Sequence, residues 1–182
     1  MPIDPPDLLS RVFRSRAFSM ARSSEGSAFA GSRSGVRLKH GIKFEIVWLD
    51  QDVVQFRVEC SNARFSGSAT LYIGHDDLRK MAEALRGFPS SSSDTRTYEL
   101  GTFDPKFADG GIKMQFYCKD SVGHAAVDVK LRGDACQGMG ETESVALRIP
   151  VEAAGIDSFI AEALRIDTQQ IGATVFLPMA GL

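Results

Sequence analysis

The chain has 182 residues, 43% hydrophobic, 24% charged and 9% aromatic, which predicts one domain or two at most. It contains no apolar run of about 18 residues, which excludes a membrane-spanning helix, and 21 basic against 23 acidic residues argue against a generic nucleic-acid binder. Cys60, Cys118 and Cys136 have neither the CxxC spacing of a zinc site nor the even count of a disulfide framework.

Charge is unevenly placed. Residues 1–40 hold seven basic and three acidic groups, a balance of +4, and the remainder, with 14 basic and 20 acidic groups, carries −6. The same forty residues are rich in Ser, Arg, Gly and Ala, with Pro2, Pro5 and Pro6 at the start. Such a stretch buries too little apolar surface to offset its ordering entropy, so 1–40 reads as a flexible segment. Leu9, Val12, Phe13 and Phe18 fall roughly on one face and permit a short helix over 8–20.

From residue 41 the period becomes two. Ile42, Phe44, Ile46 and Trp48 alternate with Lys43, Glu45 and Val47, the pattern of a half-buried strand. After the turn Asp50–Gln51–Asp52, Val54, Phe56, Val58 and Cys60 point inward. A third strand is expected to carry Phe65, Gly67, Ala69, Leu71 and Ile73 to the same side. The period then turns helical: Leu78, Met81, Ala82 and Leu85 share a face, Asp76 and Asp77 suit the positive helix start, and Gly87 is a stop. Ser90–Asp94 reads as a loop and Arg96–Leu100 as a short strand.

The second half follows a similar plan. Ile112, Met114, Phe116 and Cys118 face inward opposite Lys113, Gln115 and Tyr117, and Asp120–Gly123 turns the chain. Ala125, Val127, Val129 and Leu131 continue inward opposite His124, Asp128, Lys130 and Arg132. A Gly-rich loop, 133–142, leads to Val145, Leu147 and Ile149. Pro150 cannot donate to a ladder and so ends that strand or lies on an edge. Ile156, Phe159, Ile160, Ala163 and Leu164 mark a second amphipathic helix. Residues 167–182 read as a C-terminal tail whose stretch 173–177 either adds a strand or lies over the core.

Three strands followed by a helix thus occur twice, and both helices contain Ala-Glu-Ala-Leu-Arg, at 82–86 and 161–165. Internal duplication of a strand-strand-strand-helix unit is one explanation. Chance is the other, since these residues are common helix formers. The fold class is α+β: a single domain over 41–166, an antiparallel sheet of six or seven strands with two helices. Phe44, Trp48, Phe56, Phe65, Phe116 and Phe159 are expected at its centre.

A search for chemistry assigns no catalytic residue, no metal ligand and no cofactor. His75 beside Asp76 and Asp77 has the look of an oriented base, yet acidic residues belong at a helix start for dipole reasons alone. His124 lies beside a turn on an outward register. No HExxH or HxH motif occurs, and the glycines at 133, 138 and 140 lack the context of a phosphate loop.

Phe65–Ser66–Gly67 opening a strand that runs into a helix ending Leu85–Arg86, then a strand from near Gly111 into Gly123–His124, a further strand and a closing amphipathic helix, form an order of short strings. It resembles the WapI-like immunity proteins that accompany contact-dependent bacterial toxins, over about residues 42–165. The Arg-rich leader and the stretch after Asp167 depart from the pattern. The resemblance implies a cytoplasmic, non-enzymatic protein that binds and blocks a cognate toxin domain. The −6 charge would steer it toward a basic partner such as a nuclease, with neither nucleic acid nor membrane bound directly. Asp134, Glu141 and Glu143, in and beside the Gly-rich loop, are the candidate partner contacts; solvated loop charge is their other reading. Two rival functions stand: a small-ligand-binding module, which requires a concave pocket, and a hydrolase built on His75 or His124 with a distant acid.

Overall fold

The computed structural model describes residues 39–104, 109–120, 124–133 and 143–181. The helix expected over 8–20, and all of the segment 1–40 before Lys39, lie outside the described residues. The elements run β1 (Gly41–Leu49), β2 (Val53–Ser61), β3 (Ser66–Gly74), α1 (Asp77–Leu85), β4 (Thr95–Gly101), β5 (Gly111–Cys118), β6 (Ala125–Arg132), β7 (Ser144–Val151), α2 (Ala153–Arg165) and β8 (Thr174–Pro178).

The strands form two antiparallel sheets of four, ordered β3-β2-β1-β8 and β4-β5-β6-β7. The expectation of one sheet of six or seven strands is corrected accordingly, although α+β stands. The reason lies in the helices. Each carries the chain away from the strand before it, so β4 pairs with β5 rather than β3, and β8 with β1 rather than β7. The succession β-β-β-α-β is therefore traversed twice, and each run gives its last strand to the sheet begun by the other. The two Ala-Glu-Ala-Leu-Arg strings occupy matching places at the ends of α1 and α2. The stretch 173–177, for which a strand and a covering segment were both open, supplies most of β8, with Val175 and Leu177 buried.

One core unites these parts. It gathers the inward residues of both sheets together with Leu78, Met81, Ala82 and Leu85 of α1 and Ile156, Phe159, Ile160 and Ala163 of α2. The Phe44 ring lies 6.3 Å from that of Phe56 and 6.1 Å from that of Phe159, and Phe116 is 6.0 Å from Phe88. These pairs place α2 against the first sheet and the exit of α1 against the second. The inward registers expected for β2, β5, β6 and β7 hold through Phe56, Phe116, Val127 and Ile149, all at most 1% exposed.

Two of the six expected central aromatics are not there. In β1, Ile46 pairs with Phe56 but the next paired residue is Trp48, opposite Gln55, so Val47 is an extra residue in a β-bulge. A one-residue slip exchanges the faces of everything beyond it. Trp48 consequently lies on the outer face, edge-on to Tyr72 at 5.8 Å. Phe65 is 66% exposed because β3 begins one residue later. The Asn62 side-chain carbonyl accepts the Arg64 and Phe65 amides at 3.2 and 3.0 Å, holding Phe65 in the turn. Cys118, expected inward, is half-buried at the end of β5, its thiol 3.4 Å from the Ser91 carbonyl.

The sheets meet closely where β3 passes the start of β5. The Gly110 amide donates to the Thr70 carbonyl at 3.0 Å, and a Cβ on Gly110 would stand 2.6 Å from both the Thr70 and Arg132 carbonyl oxygens. Only glycine fits between three backbones there. Arg132, expected to face outward, is 5% exposed because residues 102 and 109 close over it: its Nη1 donates to the Thr102 and Asp109 carbonyls at 3.2 and 2.7 Å. At the end of α1, Arg96 donates from Nη1 to the carbonyls of Ala84 and Arg86, both at 2.9 Å, and from Nε and Nη2 to Asp94. A cation thus satisfies the orphan carbonyls at the negative helix end. Among the described residues no helix is long and apolar enough to cross a membrane.

Candidate functional site

The outer face of the second sheet is built by simple alternation: residues between the buried Ile112, Met114, Val127, Val129 and Leu147 must point the other way. Register sets them in rows. Glu99, Lys113, Lys130 and Ala146 lie side by side across β4, β5, β6 and β7, and Thr97, Gln115, Asp128 and Arg148 form the next row. Tyr117 follows, opposite Ala126. A shallow depression of about 440 Å³ opens over the first two rows, lined by Lys113, Gln115, Asp128, Lys130, Ala146 and Arg148 together with Val129 and Leu147. The small Ala146 side chain sits directly beside Lys130.

One row is electrostatically closed. The Arg148 guanidinium donates to Asp128 from Nε at 2.7 Å and Nη2 at 3.1 Å, and the Tyr117 hydroxyl donates to the same carboxylate at 3.2 Å. Arg148 also lies over the Tyr117 ring at 5.7 Å. The Arg148 hydrogen bonds hold the Asp128 carboxyl below the ordinary carboxylate range, while desolvation and the neighbouring Asp128 charge raise the Tyr117 hydroxyl.

The other row is open. Lys113 and Lys130 are direct cross-strand neighbours of like charge, both exposed. Neither ammonium is within 4.0 Å of a carboxylate among the described residues. Glu99 is opposite Lys113 in register but forms no ion pair with it, and the contact of Lys130 is the Phe103 ring at 5.8 Å. Like charges facing each other on a sheet are destabilising. Among the described residues the site therefore presents two ammonium groups without an ion pair, that of Lys130 resting over the Phe103 ring, and the Gln115 amide beside a neutralised Asp128–Arg148 pair.

Of the three contact candidates from the loop, Asp134 and Glu141 lie outside the described residues. Glu143 is exposed immediately before β7, its backbone carbonyl accepting the Gly133 amide at 2.9 Å, which closes the base of that loop at the end of the same face.

The histidines are placed elsewhere. His75 donates from Nε2 to the Asp50 carbonyl at 2.9 Å, and its Nδ1 is 3.3 Å from the Thr168 hydroxyl and 3.4 Å from the Gln169 amide. A carbonyl only accepts, so Nε2 carries the proton and Nδ1 receives. The ring ties the β1–β2 turn to the α2–β8 turn. Asp77, not His75, serves the start of α1, accepting the Gly74 amide at 2.8 Å. His124 closes its turn onto Asp120, with Nδ1 2.6 Å from Oδ2. His40 Nδ1 meets the Ser61 hydroxyl at 2.9 Å. Burial pushes the Cys60 thiol up to about 12, the behaviour of a core thiol. Among the described residues no three His, Cys, Asp or Glu side chains converge as a metal site would require.

Sequence reasoning placed Lys113, Gln115, Asp128 and Lys130 outward but did not single them out. Which outward residues become neighbours depends on the β5–β6 and β6–β7 registers, and alternation alone leaves these open. Comparison with protein-family models, with characterised proteins and with solved structures gives no match to this chain.

Proposed function

We propose that this chain is a non-enzymatic binding protein that neutralises a cognate toxin domain by direct contact, and that the outer face of the second sheet is the surface it uses. The observation that carries the reading is the open depression on that face, in which Lys113 and Lys130 face each other without an ion pair among the described residues, beside Gln115. A folded protein gains nothing in stability from opposed like charges on a sheet, so a surface that keeps them is shaped by an occupant. Asp134, Glu141 and Glu143 remain the proposed acidic contacts, of which Glu143 stands exposed immediately before β7. The −6 balance after residue 40 supplies long-range attraction to a partner that is basic overall. The matched β-β-β-α-β runs and their shared Ala-Glu-Ala-Leu-Arg strings support an origin by internal duplication.

The test is genetic and biochemical. Co-expression with the toxin domain encoded beside this chain's gene should restore growth, and the two proteins should co-elute as a stable complex. Toxicity unrelieved by co-expression, with no complex at micromolar concentration, overturns the reading. The depression also favours a second reading, a small-ligand-binding module, because three cationic side chains converge on it. That reading requires saturable binding of a small anion in the absence of any protein partner.

A further inference from the structure

Resting on the binding role just proposed, we infer that the Lys113–Lys130 row seats an acidic segment of the partner protein, two of its carboxylates taking the two ammonium groups while Gln115 donates to the backbone between them. Several observations converge on that occupant. The two lysines are cross-strand neighbours, so their side chains leave the sheet from adjacent points, a spacing that suits two carboxylates on one extended segment. The one carboxylate lining the depression, Asp128, is consumed by Arg148 and Tyr117 and neutralises neither lysine. Ala146 beside Lys130 leaves the floor low enough for a backbone to approach. The sign of this face also opposes that of the chain: residues 41–182 carry −6, yet the side chains lining the depression are three cations and one anion.

A two-stage encounter follows. The whole-chain field attracts a basic partner from a distance beyond the Debye length of about 8 Å at physiological salt only weakly, and strengthens as the surfaces close. Local pairing at the lysines then sets the register and rejects partners that present a basic segment at that point. Specificity on this face comes from a charge pattern inverted relative to the molecule that bears it.

The experiment uses the full chain and nuclear magnetic resonance, with a hexaglutamate peptide, a hexalysine peptide and inorganic phosphate as probes. Hexaglutamate should bind saturably, shift the amides of Lys113, Gln115 and Lys130, and lose at least tenfold in affinity between low and physiological salt. Hexalysine should leave those amides unmoved. Lys113→Glu with Lys130→Glu should abolish the shifts, and Lys113→Gln alone should weaken them; both positions are exposed, and retained thermal unfolding will show that the variants fold. Shifts centred elsewhere, undiminished binding by the double variant, or phosphate binding as tightly as the peptide each overturn the inference. The two proposals fail separately. A Lys113→Glu, Lys130→Glu chain that still neutralises its toxin leaves the binding role standing and removes the acidic segment. Hexaglutamate binding at the lysines without any neutralised toxin does the reverse.

Discussion

The two sheets have the same strand count and the same antiparallel construction, but their outer faces distribute charge in opposite ways. On the first, Lys43 is 2.7 Å from Glu45 and 4.0 Å from Glu59 across the strand gap, and Glu45 faces Arg57 in register. The Lys43 hydrogen bond holds the Glu45 carboxyl below its ordinary range. On the same face Trp48 and Tyr72 pack edge-on. On the second, Lys113 faces Lys130, Glu99 makes no ion pair with Lys113, and the Asp128 carboxylate of the next row is taken by Arg148. One face pairs opposite charges; the other sets like charges side by side. Strand pattern alone does not distinguish them; the difference lies in which outward residues the register makes neighbours.

Despite that contrast both sheets share an interior, and the largest expected effect tests it. Phe44→Ala in the first sheet and Phe116→Ala in the second should each cost about 3–5 kcal/mol. Both variants should unfold in one transition, seen at the same denaturant midpoint by Trp48 fluorescence and by far-ultraviolet circular dichroism. Separate midpoints would mean that the sheets are independent. Gly110→Ala attacks the seam between them. The methyl group has no space between the Thr70 and Arg132 carbonyls, and a loss of roughly 1–3 kcal/mol is expected in the same assay.

Acid comes next. Arg96 holds the Asp94 carboxyl well below the usual carboxylate range, and Arg148 lowers Asp128 more moderately. A carboxyl whose folded pKa is depressed contributes stability that is present above its unfolded value, near 4, and is lost as pH falls through the folded one. Stability should therefore decline below about pH 4. Asp94→Asn should flatten that decline and loosen the end of α1, whose carbonyls Arg96 also serves. Asp128→Asn should do less, because its ion pair is largely solvated, with Arg148 65% and Asp128 39% exposed. Thermal melts from pH 7 to pH 2 will rank them.

The smallest effects sharpen the comparison of the faces. Lys130→Glu places a carboxylate opposite Lys113 and should stabilise the fold by about 0.2–1 kcal/mol while weakening any acidic occupant. Glu59→Lys sets a second lysine opposite Lys43 and should destabilise by a similar amount. Equal signs for the two substitutions in chemical denaturation would erase the distinction between the faces.

Much of the fold was legible in the sequence, and the exceptions have local causes. Both helices and the inward registers from Phe44 to Ile149 follow from period, because burial of one face leaves a strand little choice. Trp48 escaped because one extra residue, Val47, reverses the faces, and nothing in an alternating string marks a bulge. Phe65 escaped because Asn62 binds its amide and delays the strand. Pro150 was placed correctly: β7 is an edge, and the Pro150 carbonyl accepts the Ala180 amide at 2.8 Å. The number of sheets was not legible, since pairing of β8 with β1 joins residues about 130 apart and leaves no trace in local pattern. For the same reason the acidic loop attracted notice while the Lys113–Lys130 row did not: a loop is visible in one dimension, and a row only in two.

The exchange of final strands has a consequence for biosynthesis. During translation β1 emerges early, but its outer edge acquires a mate only when residues 174–178 have left the ribosome. Until then the nascent polypeptide exposes a strand of unsatisfied amides and carbonyls, the kind of edge that recruits other chains. Completion of the first sheet thus waits until every strand of the second has been made.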